Sequence, residues 1–242
     1  MTVLYPAIDL RGGRCVRLHQ GDYGRETVYG DDPVAQSLAF ADAGAEWVHV
    51  VDLDAARSGD PTNRPVIAAV ASALADRGVR VQTGGGVRSV DDARALAAAG
   101  VARVVLGTAA VADPALVDAV AAGAGIAVAL GLDVRGREVA VHGWTEGSGQ
   151  LDDVVARFAG RPYEALVATQ IRVDGTGDGP DLALYQELLP TQPGLIASGG
   201  VGSLAHIEAV ARLGVPGIVV GRALYEGAFS VEEALAACVS PV

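Results

Sequence analysis

The sequence repeats itself in one ordered set of short motifs. Gly85-Gly86-Val87-Arg88-Ser89, followed by Val105-Leu106-Gly107-Thr108-Ala109, is echoed by Gly199-Gly200-Val201-Gly202-Ser203 followed by Val219-Val220-Gly221-Arg222-Ala223, both at an offset of 114 residues. Ile8-Asp9-Leu10-Arg11-Gly12 is likewise echoed by Leu132-Asp133-Val134-Arg135-Gly136 at an offset of 124. A chain that carries the same motifs twice, in matched order, reads as two similar halves.

Between these motifs, β-branched runs ending in Gly, Asp or Thr alternate with Ala- and Leu-rich segments of helical period. Eight strands are expected, at roughly residues 4–9, 47–52, 79–83, 102–107, 126–133, 164–169, 194–198 and 217–221. Helical signals fill the gaps, for example Pro33 to Gly44, Asn63 to Ala75 and Ser203 to Gly214, with turn or capping residues at their starts. An open, doubly wound sheet also alternates strand and helix, but two matched four-unit halves close into eight strands. The expectation is therefore an α/β chain, a single (β/α)8 TIM barrel with a two-fold internal half-barrel repeat, spanning residues 1–242 as one domain.

Half the residues are hydrophobic while aromatics make up only 5%, so the core must be built from Val, Leu, Ile and Ala. That suits buried parallel strands. A net charge of −11 argues against nucleic acid or an anionic membrane as partner, because both need a basic surface. Any phosphate contact should be local and made by backbone. Cys15 and Cys238 lie far apart with no CxxC or Cys/His spacing, which suggests neither a metal site nor a disulfide framework. The N-terminus begins directly with strand-like residues and shows no basic region before an apolar stretch, so a cytoplasmic protein is expected. The most apolar region, about residues 101 to 134, is interrupted by Asp113-Pro114 and Asp118 and reads as strand, helix, strand. A monomer acting on a small molecule is the expected state.

Each Gly-Gly-Val-x-Ser segment follows a strand and precedes a helix, so its glycines let backbone approach an anion while the helix N-terminus offers N–H groups. A Gly-Thr or Gly-Arg follows the next strand. Two phosphate cradles result, one from Gly85, Gly86, Arg88, Gly107 and Thr108, the other from Ser198, Gly199, Gly200, Gly221 and Arg222. A lone Gly-Gly is usually only a tight turn, but matched duplication is more specific. Eight tilted strands make a ring roughly 15 Å across, so opposed cradles would bracket a molecule with a phosphate at each end.

Barrel chemistry takes place at the C-terminal ends of strands, where Asp9 and Asp133 end strands 1 and 5. The line joining them crosses the line joining the cradles. Asp174, in the Asp174-Gly175-Thr176 loop after strand 6, is a third candidate, with Thr169 at that strand's end. Either Asp133 or Asp9 could instead be a helix cap or turn former. Carboxylates without a metal or nucleophile suit proton shuttling, one as base and one as acid, as aldose–ketose rearrangement requires. His49 reads as a packed histidine, while Asp52 and Asp54 could orient substrate hydroxyls or cap the mouth. Arg14 to Leu18 reads as a β-like excursion over the mouth. Arg17, His142 and Trp144 lie in the loops after strands 1 and 5, where Arg could meet an anion and Trp could stack on a planar ring.

The ordered set Pro6-Ala7-Ile8-Asp9-Leu10, Val16-Arg17-Leu18, His49-Val50-Val51-Asp52-Leu53-Asp54, Gly84-Gly85-Gly86-Val87-Arg88-Ser89, Gly131-Leu132-Asp133, Asp174-Gly175-Thr176, Ser198-Gly199-Gly200-Val201 and Val220-Gly221-Arg222-Ala223 resembles the phosphoribosyl isomerase A family of histidine biosynthesis, across essentially the whole chain. The resemblance implies a cofactor-free Amadori rearrangement of a bisphosphorylated aminoaldose built on an imidazole. It implies Asp9 as proton acceptor and leaves the donor open between Asp174, favoured on chemistry, and Asp133. Two positions depart from the family pattern. Gln170 stands where an acid is usual, and strand alternation should turn it toward the helices; Val173 stands where a polar residue is often found. Dual-substrate relatives that also isomerise phosphoribosyl anthranilate carry Ser-Gly-Gly and an Arg where this chain has Gly84-Gly85-Gly86 and His142. The dedicated anthranilate isomerase has a Cys base where this chain has Asp9, and the sister cyclase-synthase a Lys near Arg17. From another class, a non-catalytic phosphosugar-binding barrel would carry the same cradles.

Overall fold

The computed structural model describes residues 1–19, 21–141, 143–144 and 146–239, without the side chain of His19. The expected strands all form. They are β1 (Val3–Arg11), β2 (Trp47–Asp52), β3 (Arg80–Gly84), β4 (Arg103–Leu106), β5 (Ala127–Arg135), β6 (Ala165–Gln170), β7 (Leu195–Ser198) and β8 (Gly217–Val220). Each pairs in parallel with the next, and β8 pairs with β1, so the sheet closes. Helices between the strands complete a (β/α)8 barrel.

The apolar strand runs follow from this closure, because both faces of every strand are covered. Along β1, Tyr5 and Ala7 face the barrel interior with Trp47, Val105, Val167, Ile196 and Val219, while Leu4, Ile8 and Leu10 face the helices in the larger outer core. The period of two sorts one strand into two cores. Cys15 and Cys238 are buried and unbonded. Among the described residues no helix is long and apolar enough to cross a membrane.

Strands β1 and β5 run two residues beyond their aspartates rather than ending on them, because an antiparallel partner replaces the barrel neighbour there. Asp9 pairs with Val16 and Arg11 with Arg14; in the other half Asp133 pairs with Ala140 and Arg135 with Glu138. These hairpins continue into a third strand each, Asp22–Gly30 and Glu146–Gln150. The excursion expected over the mouth is thus a β-sheet extension, and the half-barrel repeat includes it.

Candidate active site

The two cradles share one backbone design. Gly85 and Gly86 have φ of 93° and 72°, and Gly199 and Gly200 have 95° and 81°. These left-handed values alone favour glycine, and space forbids anything else: a Cβ on Gly86 would overlap Ala55, and one on Gly200 would overlap the Gly179 carbonyl. Ser89 and Ser203 then cap nine-residue helices, accepting from the backbone of Asp92 and His206. Gly107 and Gly221 start the short helices Thr108–Ala112 and Arg222–Tyr225, and neither start has a side-chain cap. Helix starts aimed at one cavity suit an anion.

That cavity holds about 760 Å³ at the C-terminal ends of the strands. The sequence-selected residues Asp9, Arg17, Asp133, Trp144, Thr169 and Asp174 line it together with both cradles, including Arg88, Thr108, Gly175, Thr176, Ser198 and Arg222. His142 lies outside the described residues. The Arg88 side chain rests against Gly59, and Arg222 donates to the Gly175 carbonyl and to Glu226, which ties the Asp174 loop to the β8 cradle.

Three carboxyl groups face this space in different surroundings. Arg17 Nη1 donates to Asp9 Oδ2 at 2.5 Å. Burial works against the Arg17 guanidinium, yet the charges of Asp9 and Asp174 more than offset it and raise its pKa above the usual arginine value. Asp133 lies within β5, where it caps no helix; Trp144 Nε1 donates to its Oδ2 at 2.7 Å and the Thr169 hydroxyl bonds it from the neighbouring strand. Burial nonetheless pushes Asp133 above the usual carboxylate range. Asp174 is pushed up to about 6, first by burial, then, against the opposing charge of Arg17, by the charges of Asp9 and Asp133. One carboxylate is ion-paired, and the other two keep their protons to higher pH than a free aspartate does.

Other sequence options resolve toward structure. Asp52 caps the helix Leu53–Ser58, accepting from Ala55 at 3.0 Å and from Asn63 at 2.7 Å. Asp54 accepts from the Gly12 amide at 2.7 Å and from Asn63 at 2.9 Å. Neither lines the cavity, so they brace the loops instead of meeting substrate hydroxyls. The Trp144 ring lies on Gly21 of the β1 hairpin, where a Cβ would overlap it, so its indole is engaged by protein at both edge and face. Gln170 turns away from the mouth as alternation requires, donating to Asp181 at 2.8 Å and accepting from the Gly136 amide at 3.2 Å.

The model of the family described as histidine biosynthesis protein matches residues 3–230. The chain belongs to this family. It is 47% identical over 237 residues to the 1-(5-phosphoribosyl)-5-((5-phosphoribosylamino)methylideneamino)imidazole-4-carboxamide isomerase of Sorangium cellulosum, covering 97% of this chain and 98% of that protein. It is 44% identical over 236 residues to the protein of the same name from Synechococcus sp. strain RCC307, covering 97% and 92%. The Bacillus velezensis isomerase is 43% identical over 237 residues, covering 96% of each chain.

In this member of the histidine biosynthesis family the sequence reading missed several cavity residues. Gly21, Tyr23, Gly177, Gly202 and Glu226 also line the cavity. Tyr23 donates to the Leu53 carbonyl at 2.9 Å and packs under Arg11 and Arg57. Its aromatic ring close after the expected Arg14 to Leu18 excursion could have flagged it; Gly177 and Gly202 give no signal apart from their place beside Thr176 and Val201, and Gly21 gives none.

Proposed function

We propose that the protein is an aldose–ketose isomerase of histidine biosynthesis. It takes the aminoaldose named for its relatives, with a phosphoribosyl group at each end, to the corresponding ketose by an Amadori rearrangement. The observation that carries this reading is the placement of an ion-paired Asp9 and an Asp174 of raised pKa in one cavity between two backbone-matched anion cradles.

The chemistry then divides between the carboxyl groups. The cradles hold the two phosphates and stretch the substrate across the mouth, so binding energy remote from the reaction orients the sugar. Asp174 gives its proton to the furanose ring oxygen; the bond from that oxygen to C1 breaks and the amino nitrogen's lone pair forms a protonated imine at C1. Asp9 takes the proton from C2, and the electron pair moves to make the enaminol. Return of a proton to C1 and loss of the hydroxyl proton at C2 leave the ketose. No electrons enter or leave, so the acid and base suffice. Asp133, bound to Trp144 and Thr169, holds the β5 loop against the β1 hairpin and supports the elevated pKa of Asp174.

The direct test is turnover of the purified protein with the imidazole-carboxamide aminoaldose and, in parallel, with phosphoribosyl anthranilate. Conversion of the first substrate alone is expected, with loss of about 100- to 10,000-fold in Asp9→Asn and in Asp174→Asn. Ligand binding without conversion of either substrate would instead identify a non-catalytic phosphosugar barrel.

A further inference from the structure

Among the described residues, the barrel interior below the carboxylates is apolar except for one buried polar chain. It starts at Arg103, the first residue of β4, which is only 6% exposed. Among the described residues no carboxylate pairs with it. Its Nε donates to Gln82 Oε1 at 3.0 Å and its Nη2 to Tyr5 Oη at 3.0 Å, and its guanidinium lies 4.5 Å from the Trp47 ring centroid. Gln82, fully buried on β3, bonds His49 Nδ1 at 2.8 Å. His49 is buried on β2 and lines the cavity, two residues before the Val51 that pairs with Asp9.

The direction of this chain follows from chemistry. A guanidinium has only donors, so the Gln82 amide must turn its oxygen to Arg103 and its NH2 to His49. Nδ1 therefore accepts, and the ring proton sits on Nε2, which no described residue engages. Burial, then the charges of Arg17 and Arg103, hold the imidazole pKa down to about 3, so the ring stays neutral. Neutrality matters beside Asp9, because an imidazolium would compete with Arg17 for that carboxylate.

We propose that Arg103 and Gln82 are positioning residues that lock His49 as the neutral Nε2–H tautomer, a fixed hydrogen-bond donor to an oxygen of the reacting sugar. This rests on the isomerase reading above. A floor needed only to fill space would be built more cheaply from apolar side chains, since an unpaired buried charge is costly. The interior around it already consists of Ala7, Val105, Ala129, Val167 and Val219.

The test uses nitrogen NMR of the ring-labelled protein together with steady-state kinetics. The protein has four histidines, and His49 is assigned by the signal lost in His49→Asn. In the unmodified protein Nδ1 should be bare and Nε2 protonated at neutral pH. Gln82→Glu is nearly isosteric, but its carboxylate can only accept, so it should draw a proton onto Nδ1. In that variant kcat should fall about 10- to 100-fold with KM changed less than about 3-fold. A protonated Nδ1 in the unmodified protein, or an unchanged kcat in the folded variant, overturns the proposal. Should Gln82→Glu fail to fold, Gln82→Met removes the donor without adding charge; there both tautomers should appear and kcat should fall, and a single unchanged tautomer with full kcat overturns the proposal equally. Absence of turnover in the unmodified protein would sink the isomerase reading and with it the donor role toward the sugar, while the nitrogen spectrum still decides whether Gln82 sets the tautomer.

Discussion

Arg17 binds Asp9 with its Nη1 while its guanidinium lies directly over the Cα of Gly221, so one side chain from the β1 hairpin joins the base to the β8 cradle. Gly221 has a negative φ of −117°, and a Cβ there would fall on the Arg17 guanidinium. A methyl group there would push aside the far end of a flexible side chain. Gly221→Ala should therefore still fold, destabilised by no more than about 3 kcal/mol, and lose at least about 10-fold in kcat/KM as the Arg17–Asp9 pair is displaced. Thermal denaturation and steady-state kinetics check the two halves, and a large loss of stability would show that Gly221 serves the fold instead.

Asp174 makes the clearest pH-dependent cost. Its carboxyl is raised to about 6 in the folded protein, while an unfolded chain binds that proton near the ordinary aspartate value of 3.8. The folded state thus holds the proton more tightly between these values, and the associated stability, complete at low pH, is lost as pH rises through about 6. Asp174→Asn removes the ionisable group. The variant should be more stable than the parent by up to about 2 kcal/mol above pH 7, with the difference shrinking toward pH 4, while turnover is lost. Urea denaturation at a series of pH values measures this directly; a variant less stable at pH 7 would mean that Asp174 is held by attraction rather than by burial against its neighbours.

The β1 and β5 hairpins meet where Trp144 covers Gly21. Trp144 has φ of 71°, a left-handed conformation unusual for a side chain of that size, and Gly21 has φ of 73°. Such strain persists only where surrounding contacts hold it. Gly21→Ala should displace the indole from Asp133, visible as a change in tryptophan emission, and should cost about 1–2 kcal/mol of stability from the added backbone strain. Emission identical to the parent would show that the ring has room to stay.

The fold and the cradles were legible because their signals are local. Alternation along β1 assigns Tyr5 and Ile8 to opposite cores, and the Gly85-Gly86 and Gly199-Gly200 pairs are free to take the left-handed backbone they adopt. The carboxylates were placed by their strand-end and loop positions, while the raised pKa of Asp174 could not be read there, since it depends on Asp9, Asp133 and Arg17 from other parts of the chain. Asp52 and Asp54 were ambiguous for the same reason: only Asn63 and the Gly12 amide, distant in sequence, show that they brace loops. The chain from Arg103 through Gln82 to His49 crosses three strands, and each member looks in sequence like an isolated polar interruption.

Gln170 is held on the outer side of the barrel by two partners. Its amide donates to Asp181 Oδ2 and accepts from the Gly136 amide, so it joins β6, the β5 hairpin and the Asp181 cap of the helix Leu182–Leu188 on the outer side of the barrel. A carboxylate at this position would face Asp181 without a proton to give. Gln170→Glu should therefore be destabilised by about 1–3 kcal/mol at neutral pH, from repulsion and the lost hydrogen bond. The introduced carboxyl should titrate above the usual range beside Asp181; once protonated it can donate as the amide does, so the loss should fade as pH falls through that raised value and be gone by about pH 4. Because the residue faces away from the cavity, kcat should stay within about 2-fold of the parent. Full stability at neutral pH would mean that Asp181 can turn away at no cost, and a fall in kcat would mean that the outer face of β6 reaches Thr169 and the reacting centre.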